Sequence, residues 1–106
     1  MNKFINLTAH TINELYTGLK IEPSGVVARV EQLKDKNREC NGVPLFDCTY
    51  GELRGLPAPK DNIMYIVSSM ALNAVPSWRK DVIAPGFVKR KQNGEVLGCM
   101  GFNLPN

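Results

Sequence analysis

A chain of 106 residues with 43% hydrophobic and 22% charged side chains predicts one domain, residues 1–106, with one core. This composition excludes a disordered or fibrous protein, and no apolar run is long enough for a transmembrane helix. The net charge of +3 lies in residues 76–106, which hold five of the thirteen basic side chains but only two of the ten acidic ones.

Residues 3–12 alternate between apolar and polar side chains, which predicts a half-buried strand. A turn follows at residues 22–25, and residues 26–33 again read as a strand. Residues 34–39 carry five charges in six positions and predict a solvated strand end or a loop.

The dipeptide Asn41-Gly42 is a strong hairpin signal and predicts that residues 43–53 fold back on the preceding strand. Pro44 suggests that the returning strand lies at an edge. After a break at residues 55–59, the apolar run 63–67 is the best candidate for a central strand.

Ser68 and Ser69 precede a short helix over residues 70–75, which Pro76 ends. Pro85-Gly86 indicates a turn, and residues 87–91 and 95–102 form a second hairpin around Asn93-Gly94.

These elements predict a mainly β (α+β) fold: six or seven strands in a small antiparallel sheet or partly open barrel, with one short helix. Because a small β-rich chain leaves sheet edges exposed, we expect a homodimer or a larger ring.

The cysteines Cys40, Cys48 and Cys99 lack the close paired spacing of a zinc site, and His10 is the single histidine. We therefore expect no metal and no cofactor, and three free thiols of which at least two are buried. The first residues lack the apolar region of a signal peptide, which favours the cytoplasm.

Two polar groups are candidates for ligand binding. The side chains of Asn6, Thr8 and His10 share the polar face of the first predicted strand and could read a nucleobase or a sugar. Ser68 and Ser69 stand at a helix start, where N–H groups attract anions. The alternatives are a solvated strand face and ordinary helix capping.

The third candidate is the basic group near the C-terminal end. Arg79, Lys80 and Arg90 would neutralise phosphates, and Trp78 would stack on a base. The alternative is a solubilising surface with Trp78 in the core. Acidic residues are scattered and no catalytic set emerges, so the sequence predicts a binding protein and not an enzyme. A nucleotide phosphodiesterase is the enzymatic alternative.

The opening segment, residues 5–12, resembles that of a family of small tailed-phage proteins that begin with I-N-L-T-x-H. One departure is Ala9, where members usually carry proline. Similar elements follow along most of the chain, at residues 23–25, 28–30, 55–57, 65–68, 81–86, 93–94 and 98–99. The resemblance implies a phage origin and no particular activity or catalytic residue.

Small non-enzymatic phage proteins often counter host defence, and some sequester nucleotide second messengers. By that analogy we expect a protein that captures a small phosphorylated ligand without turnover. The alternatives are an inhibitor that binds a host protein and a nucleic-acid-binding accessory protein. A charge of +3 is modest for the last of these.

Overall fold

The computed structural model describes residues 3–106. Its elements in chain order are β1 (Lys3–Asn6), β2 (Ile12–Glu14), β3 (Leu19–Ile21), β4 (Arg29–Cys40), β5 (Val43–Arg54), β6 (Ile63–Ile66), α1 (Ser69–Leu72), β7 (Val82–Arg90) and β8 (Val96–Asn103). The predicted mainly β fold with one short helix is confirmed.

Six strands form one nearly closed sheet in the order β1-β6-β7-β8-β2-β3. A bridge between Asn6, at the end of β1, and Pro23, after β3, brings the two outer strands together. The sheet is mixed, because β6 pairs in parallel with both β1 and β7, whereas β7 pairs antiparallel with β8. Parallel neighbours need long crossovers, and the segments on either side of β6 supply them.

The core has two parts, which lie on opposite faces of β6. Tyr65 and Val67 belong to a cluster with Leu7, α1 and Val82, whereas Ile66 belongs to a second cluster with Ile83 and Cys99. Successive side chains of a strand point to opposite faces, so a continuous apolar run is buried on both. The prediction that residues 63–67 form a central strand agrees with this position between β1 and β7.

Strands β4 and β5 form a separate two-stranded ribbon that extends away from the sheet. Asn41 and Gly42 make its turn with positive φ angles of 52° and 79°, as the hairpin signal predicts. At the base of the ribbon, Val30 and Leu53 pack against the core. Most of the ribbon beyond them is exposed, and the molecule measures 54 × 38 × 25 Å.

Several predicted elements differ from the structure. Residues 7–11 leave the sheet after β1. Of the two alternatives for residues 34–39, the solvated strand end agrees with the structure and the loop does not, because these exposed residues pair with β5. Pro85 and Gly86 lie inside β7, where a Cβ on Gly86 would come within 2.8 Å of the Met100 carbonyl oxygen. The glycine therefore permits close strand approach and makes no turn.

The expectation that at least two thiols are buried is wrong. Only Cys99 is buried, whereas Cys40 and Cys48 are exposed on the ribbon. The second hairpin, β7 and β8 around Asn93-Gly94, agrees with its prediction.

Candidate functional site

A cleft of about 330 Å³ opens between the loop after β1, the segment that leads into β4, and the start of α1. Its volume lies within the range of small-molecule sites. The polar groups that line it are Thr8, His10, Arg29 and Ser68. Its apolar wall includes Val27 and Met70. The cleft therefore joins two of the groups that the sequence singled out, the polar segment and the helix start.

Asn6 shapes the loop on one side of this cleft. Its side chain is buried, and its Nδ2 donates to the carbonyls of His10 (2.8 Å) and Ile21 (3.1 Å). Its Oδ1 accepts from the backbone N–H of Thr8 at 2.9 Å and lies 2.6 Å from the Thr8 hydroxyl. These contacts replace a strand ladder over residues 7–11, so Asn6 holds Thr8 and His10 in a turn and not on one strand face.

Backbone hydrogen bonds fix the opposite wall of the cleft to the same loop. The N–H of Ser24 donates to the Asn6 carbonyl at 2.9 Å, and the N–H of Ala28 donates to the Leu7 carbonyl at 3.0 Å. Arg29 follows directly, as the first residue of β4. The guanidinium is thus carried by a segment that is anchored to the sheet.

Ser68 caps α1, as predicted. Its Oγ accepts from the N–H of Ala71 at 3.2 Å, and its backbone is extended, with φ −67° and ψ 160°. Since that oxygen uses only an acceptor site in the cap, the hydroxyl hydrogen remains able to donate into the cleft. Ser69 is exposed at the first position of the helix but does not line the cleft.

Arg29 is the cleft residue that sequence reasoning missed. It is exposed, and within residues 3–106 no carboxylate oxygen lies within 4.0 Å of its guanidinium. Its cross-strand partner is Arg54, whose Nη2 lies 3.7 Å from the Glu31 carboxylate oxygen Oε2. Two arginines at directly opposed strand positions repel, and an anion would relieve that repulsion. The only sequence signal was a basic residue inside a predicted strand.

Arg79 is engaged inside the protein. Its Nε and Nη2 donate to the two carboxylate oxygens of Asp81 at 2.8 and 2.9 Å, and Nη2 also donates to the Pro57 carbonyl at 3.0 Å. These hydrogen bonds hold the pKa of Asp81 below its usual range. The guanidinium carbon also lies 5.7 Å from the ring centroid of Trp78. Arg79 therefore ties the segment before β7 to the loop at residue 57.

The other predicted basic and aromatic residues lie outside the cleft. Trp78 and Lys80 are exposed beside Arg79, and Trp78 is 69% accessible and not a core residue. Arg90 is exposed at the end of β7, where its Nη1 donates to the Gly94 carbonyl at 3.1 Å. The predicted cations do not converge on the polar groups at His10 and Ser68.

A second cavity of about 300 Å³ lies beside the buried carboxylate of Glu14. That carboxylate accepts from the N–H groups of Gly101, Tyr16 and Thr17 at 2.8–2.9 Å. The bond from Gly101 is the largest cause that lowers the pKa of Glu14 to about 2. Glu14 serves as an anchor between β2 and β8, and the cavity walls are mainly apolar.

Across residues 3–106 no three His, Cys, Asp or Glu side chains converge to hold a metal ion. In the same range no helix has the length and apolar character needed to cross a bilayer. The cleft instead offers a guanidinium, an imidazole and two hydroxyls against an apolar wall. That set can bind an anion that carries a flat or apolar group.

Comparisons of the chain with protein-family models, with curated proteins and with solved structures return no significant match.

Proposed function

We propose that the protein captures a small phosphorylated ligand, such as a nucleotide second messenger, in the cleft beside Arg29 and releases it chemically unchanged. The observation that carries the proposal is Arg29 itself, an exposed guanidinium at the cleft, opposed to Arg54 and without a carboxylate partner in the described chain. Arginine binds phosphate oxygens through two parallel hydrogen bonds, which suits this role.

The remaining lining residues supply the rest of a recognition site. Thr8, His10 and Ser68 would hydrogen-bond sugar or base edges, and Val27 and Met70 would cover the flat part of the ligand. Asn6 contributes indirectly, because its four hydrogen-bonding contacts position the loop. Arg79 would act as a structural residue, whereas Lys80 and Arg90 would contribute at most to long-range attraction of an anion.

Isothermal titration calorimetry tests the proposal with three probes: a cyclic mononucleotide, a cyclic dinucleotide and ADP-ribose. We expect saturable binding of at least one of them. The Arg29→Ala variant should lose roughly tenfold or more in affinity, because a hydrogen bond to a charged group contributes about 1.5–3 kcal/mol. Arg90→Ala is the matched control and should bind as the wild type does, since Arg90 lies outside the cleft.

Two results would contradict the proposal. One is the absence of binding by all three probes, and the other is an equal loss of affinity in the Arg29→Ala and Arg90→Ala variants. Chromatography of the ligand after the protein is denatured separates capture from catalysis. An intact ligand supports sequestration, and a cleaved one supports the phosphodiesterase alternative.

The biological setting belongs to the same proposal. The resemblance of residues 5–12 to small tailed-phage proteins supports a phage-type sponge that blunts a host defence signal in the host cytoplasm. Unpaired sheet edges support assembly into a homo-oligomer.

A protein-interaction inhibitor is the second candidate, since the ribbon offers exposed strand edges to a host protein. Nucleic-acid binding is less well supported, because the ribbon carries as many acidic as basic side chains.

A further inference from the structure

The outer part of the ribbon formed by β4 and β5 is unusually exposed for its composition. Large apolar side chains project into solvent there, among them Phe46 at 51% and Tyr50 at 56% accessibility. An isolated two-stranded ribbon is marginally stable in water, and three or more strands are normally needed. The ribbon is therefore an incomplete sheet, and one of its two edges is the natural place for a further strand.

The two edges differ sharply in charge. Residues 34–39 of β4 carry five charges, and a register shift between Lys36 and Arg38 interrupts this strand. Charged side chains and bulges are the devices that keep edge strands from pairing. Residues 45–51 of β5 carry only one charge, Asp47. The two features of β5 that disfavour pairing lie at the ends of this segment: Pro44, and a register shift that puts an extra residue between Tyr50 and Leu53. The β4 edge is thus protected, whereas the β5 edge is open between Leu45 and Tyr50.

We propose that β5 pairs antiparallel with β5 of a second copy of the chain, in a register centred on Cys48. In this register Phe46 lies opposite Tyr50 of the second copy, and Asp47 lies opposite Thr49. Aromatic pairs stabilise neighbouring strands, and a threonine hydroxyl can donate to a carboxylate. Each of these pairs occurs twice, because a two-fold interface places residue i opposite residue j and residue j opposite residue i.

Neighbouring registers are less favourable. A register centred on Asp47 places two carboxylates directly opposite each other, and one centred on Thr49 places Phe46 opposite Glu52. Like charges at opposed positions destabilise a strand pair. The register at Cys48 avoids both conflicts.

The faces of the ribbon agree with the same arrangement. Cys48 pairs with Lys34, Phe46 with Lys36 and Tyr50 with Gln32, so these β5 side chains share one face. Pairing two copies of β5 would join their aromatic side chains into one apolar strip at the centre of a four-stranded sheet. The lysines would flank this strip on both sides, where their charges remain solvated.

Self-complementarity favours a second copy over an unrelated protein. Such an edge contact is small beside a standard interface, so we expect a reversible dimer. Sedimentation velocity should show monomers at low concentration and dimers at roughly 100 μM. A protein that stays monomeric at roughly 500 μM would overturn the proposal.

A pair of variants tests which edge is used. Cys48→Glu faces Lys34 favourably within its own ribbon but places two carboxylates together in the dimer. We expect the dissociation constant of the dimer to rise about a hundredfold. Gln32→Glu is the matched control, because it adds the same charge on the same face of β4. An equal effect of both variants would contradict pairing through β5.

Crosslinking with a short bismaleimide tests the register. In the proposed register the two Cys48 Cα atoms lie about 5 Å apart, whereas the two Cys40 residues lie about 30 Å apart along the strands. Cys40→Ser protein should therefore crosslink to a dimer, and Cys48→Ser protein should not. A dimer in solution that crosslinks through Cys40 and not through Cys48 refutes the register. Nucleotide binding is measured on the same samples, so failure of dimerisation and failure of ligand capture are distinguishable.

Discussion

The side-chain amide of Asn6 donates a hydrogen bond of 2.8 Å to the backbone carbonyl of His10. A buried residue at the end of β1 therefore fixes the conformation of an exposed loop. The same side chain meets Ile21 and Thr8, so all of its hydrogen-bonding groups are used. The position of His10 at the cleft therefore depends on a residue that does not face the cleft.

Asn6→Ala should destabilise the protein by about 2–3 kcal/mol, because several partners lose their hydrogen bonds and a buried space is left. Urea unfolding followed by circular dichroism measures this change. Asn13→Ala is the control, since Asn13 is exposed in β2, and it should stay within about 0.5 kcal/mol of the wild type. Equal stability of the two variants would show that the Asn6 network contributes little.

Arg79→Ala should lower the free energy of unfolding by about 2–3 kcal/mol, because Asp81 is then left poorly solvated and without its two hydrogen bonds. Lys80→Ala removes the neighbouring exposed charge and should be nearly neutral. Thermal and chemical unfolding of both variants test this. A ligand-binding role for Arg79 would be supported only if its stability loss were small and its affinity loss large.

Stability should fall in acid because of Glu14. The pKa of this carboxyl is lowered from 4.5 to about 2 by hydrogen bonds, first of all from Gly101. A group with a lowered folded-state pKa stabilises the fold above its unfolded-state pKa, and this contribution is lost as the pH falls from about 4.5 towards 2.

In Glu14→Gln protein that part of the acid dependence should disappear, with lower stability at neutral pH. Unfolding experiments between pH 7 and the acid limit measure both effects. Glu22→Gln is the control, because Glu22 is an exposed carboxylate paired with Lys20. An unchanged acid dependence in Glu14→Gln protein would rule out Glu14 as its source.

Gly98→Ala should destabilise the sheet by about 2–3 kcal/mol through steric overlap. A Cβ at this position would lie 2.5 Å from the Asn13 carbonyl oxygen, where β8 approaches β2. Gly94→Ala is the comparison: its φ of 91° is unfavourable for alanine, but nothing lies within 4 Å, so about 1 kcal/mol is expected. If Gly98→Ala lowers the free energy of unfolding by less than Gly94→Ala does, the close approach of β8 to β2 does not exclude a side chain at residue 98.

Local signals in the sequence determined much of the fold. The pair Asn41-Gly42 sets φ angles that only a few residues adopt, and Ser68 caps a helix by a contact within three residues. The apolar run at residues 63–67 required burial on both faces, which the strand between β1 and β7 provides. Each of these signals lies within a few consecutive residues of the chain.

Only the tertiary structure decided the site and the roles of its charges. Alternation over residues 3–12 predicted one strand, but Asn6 finds its partner Ile21 fifteen residues away and bends the chain instead. Arg79 pairs with Asp81, two residues away, but its role is structural because it also donates to the Pro57 carbonyl, 22 residues earlier in the chain. Arg29 reaches the cleft because the N–H of Ala28 bonds the Leu7 carbonyl. Strand pairing and burial between distant segments determine which polar groups find partners. The periodicity of apolar residues along the chain does not show which distant segments meet.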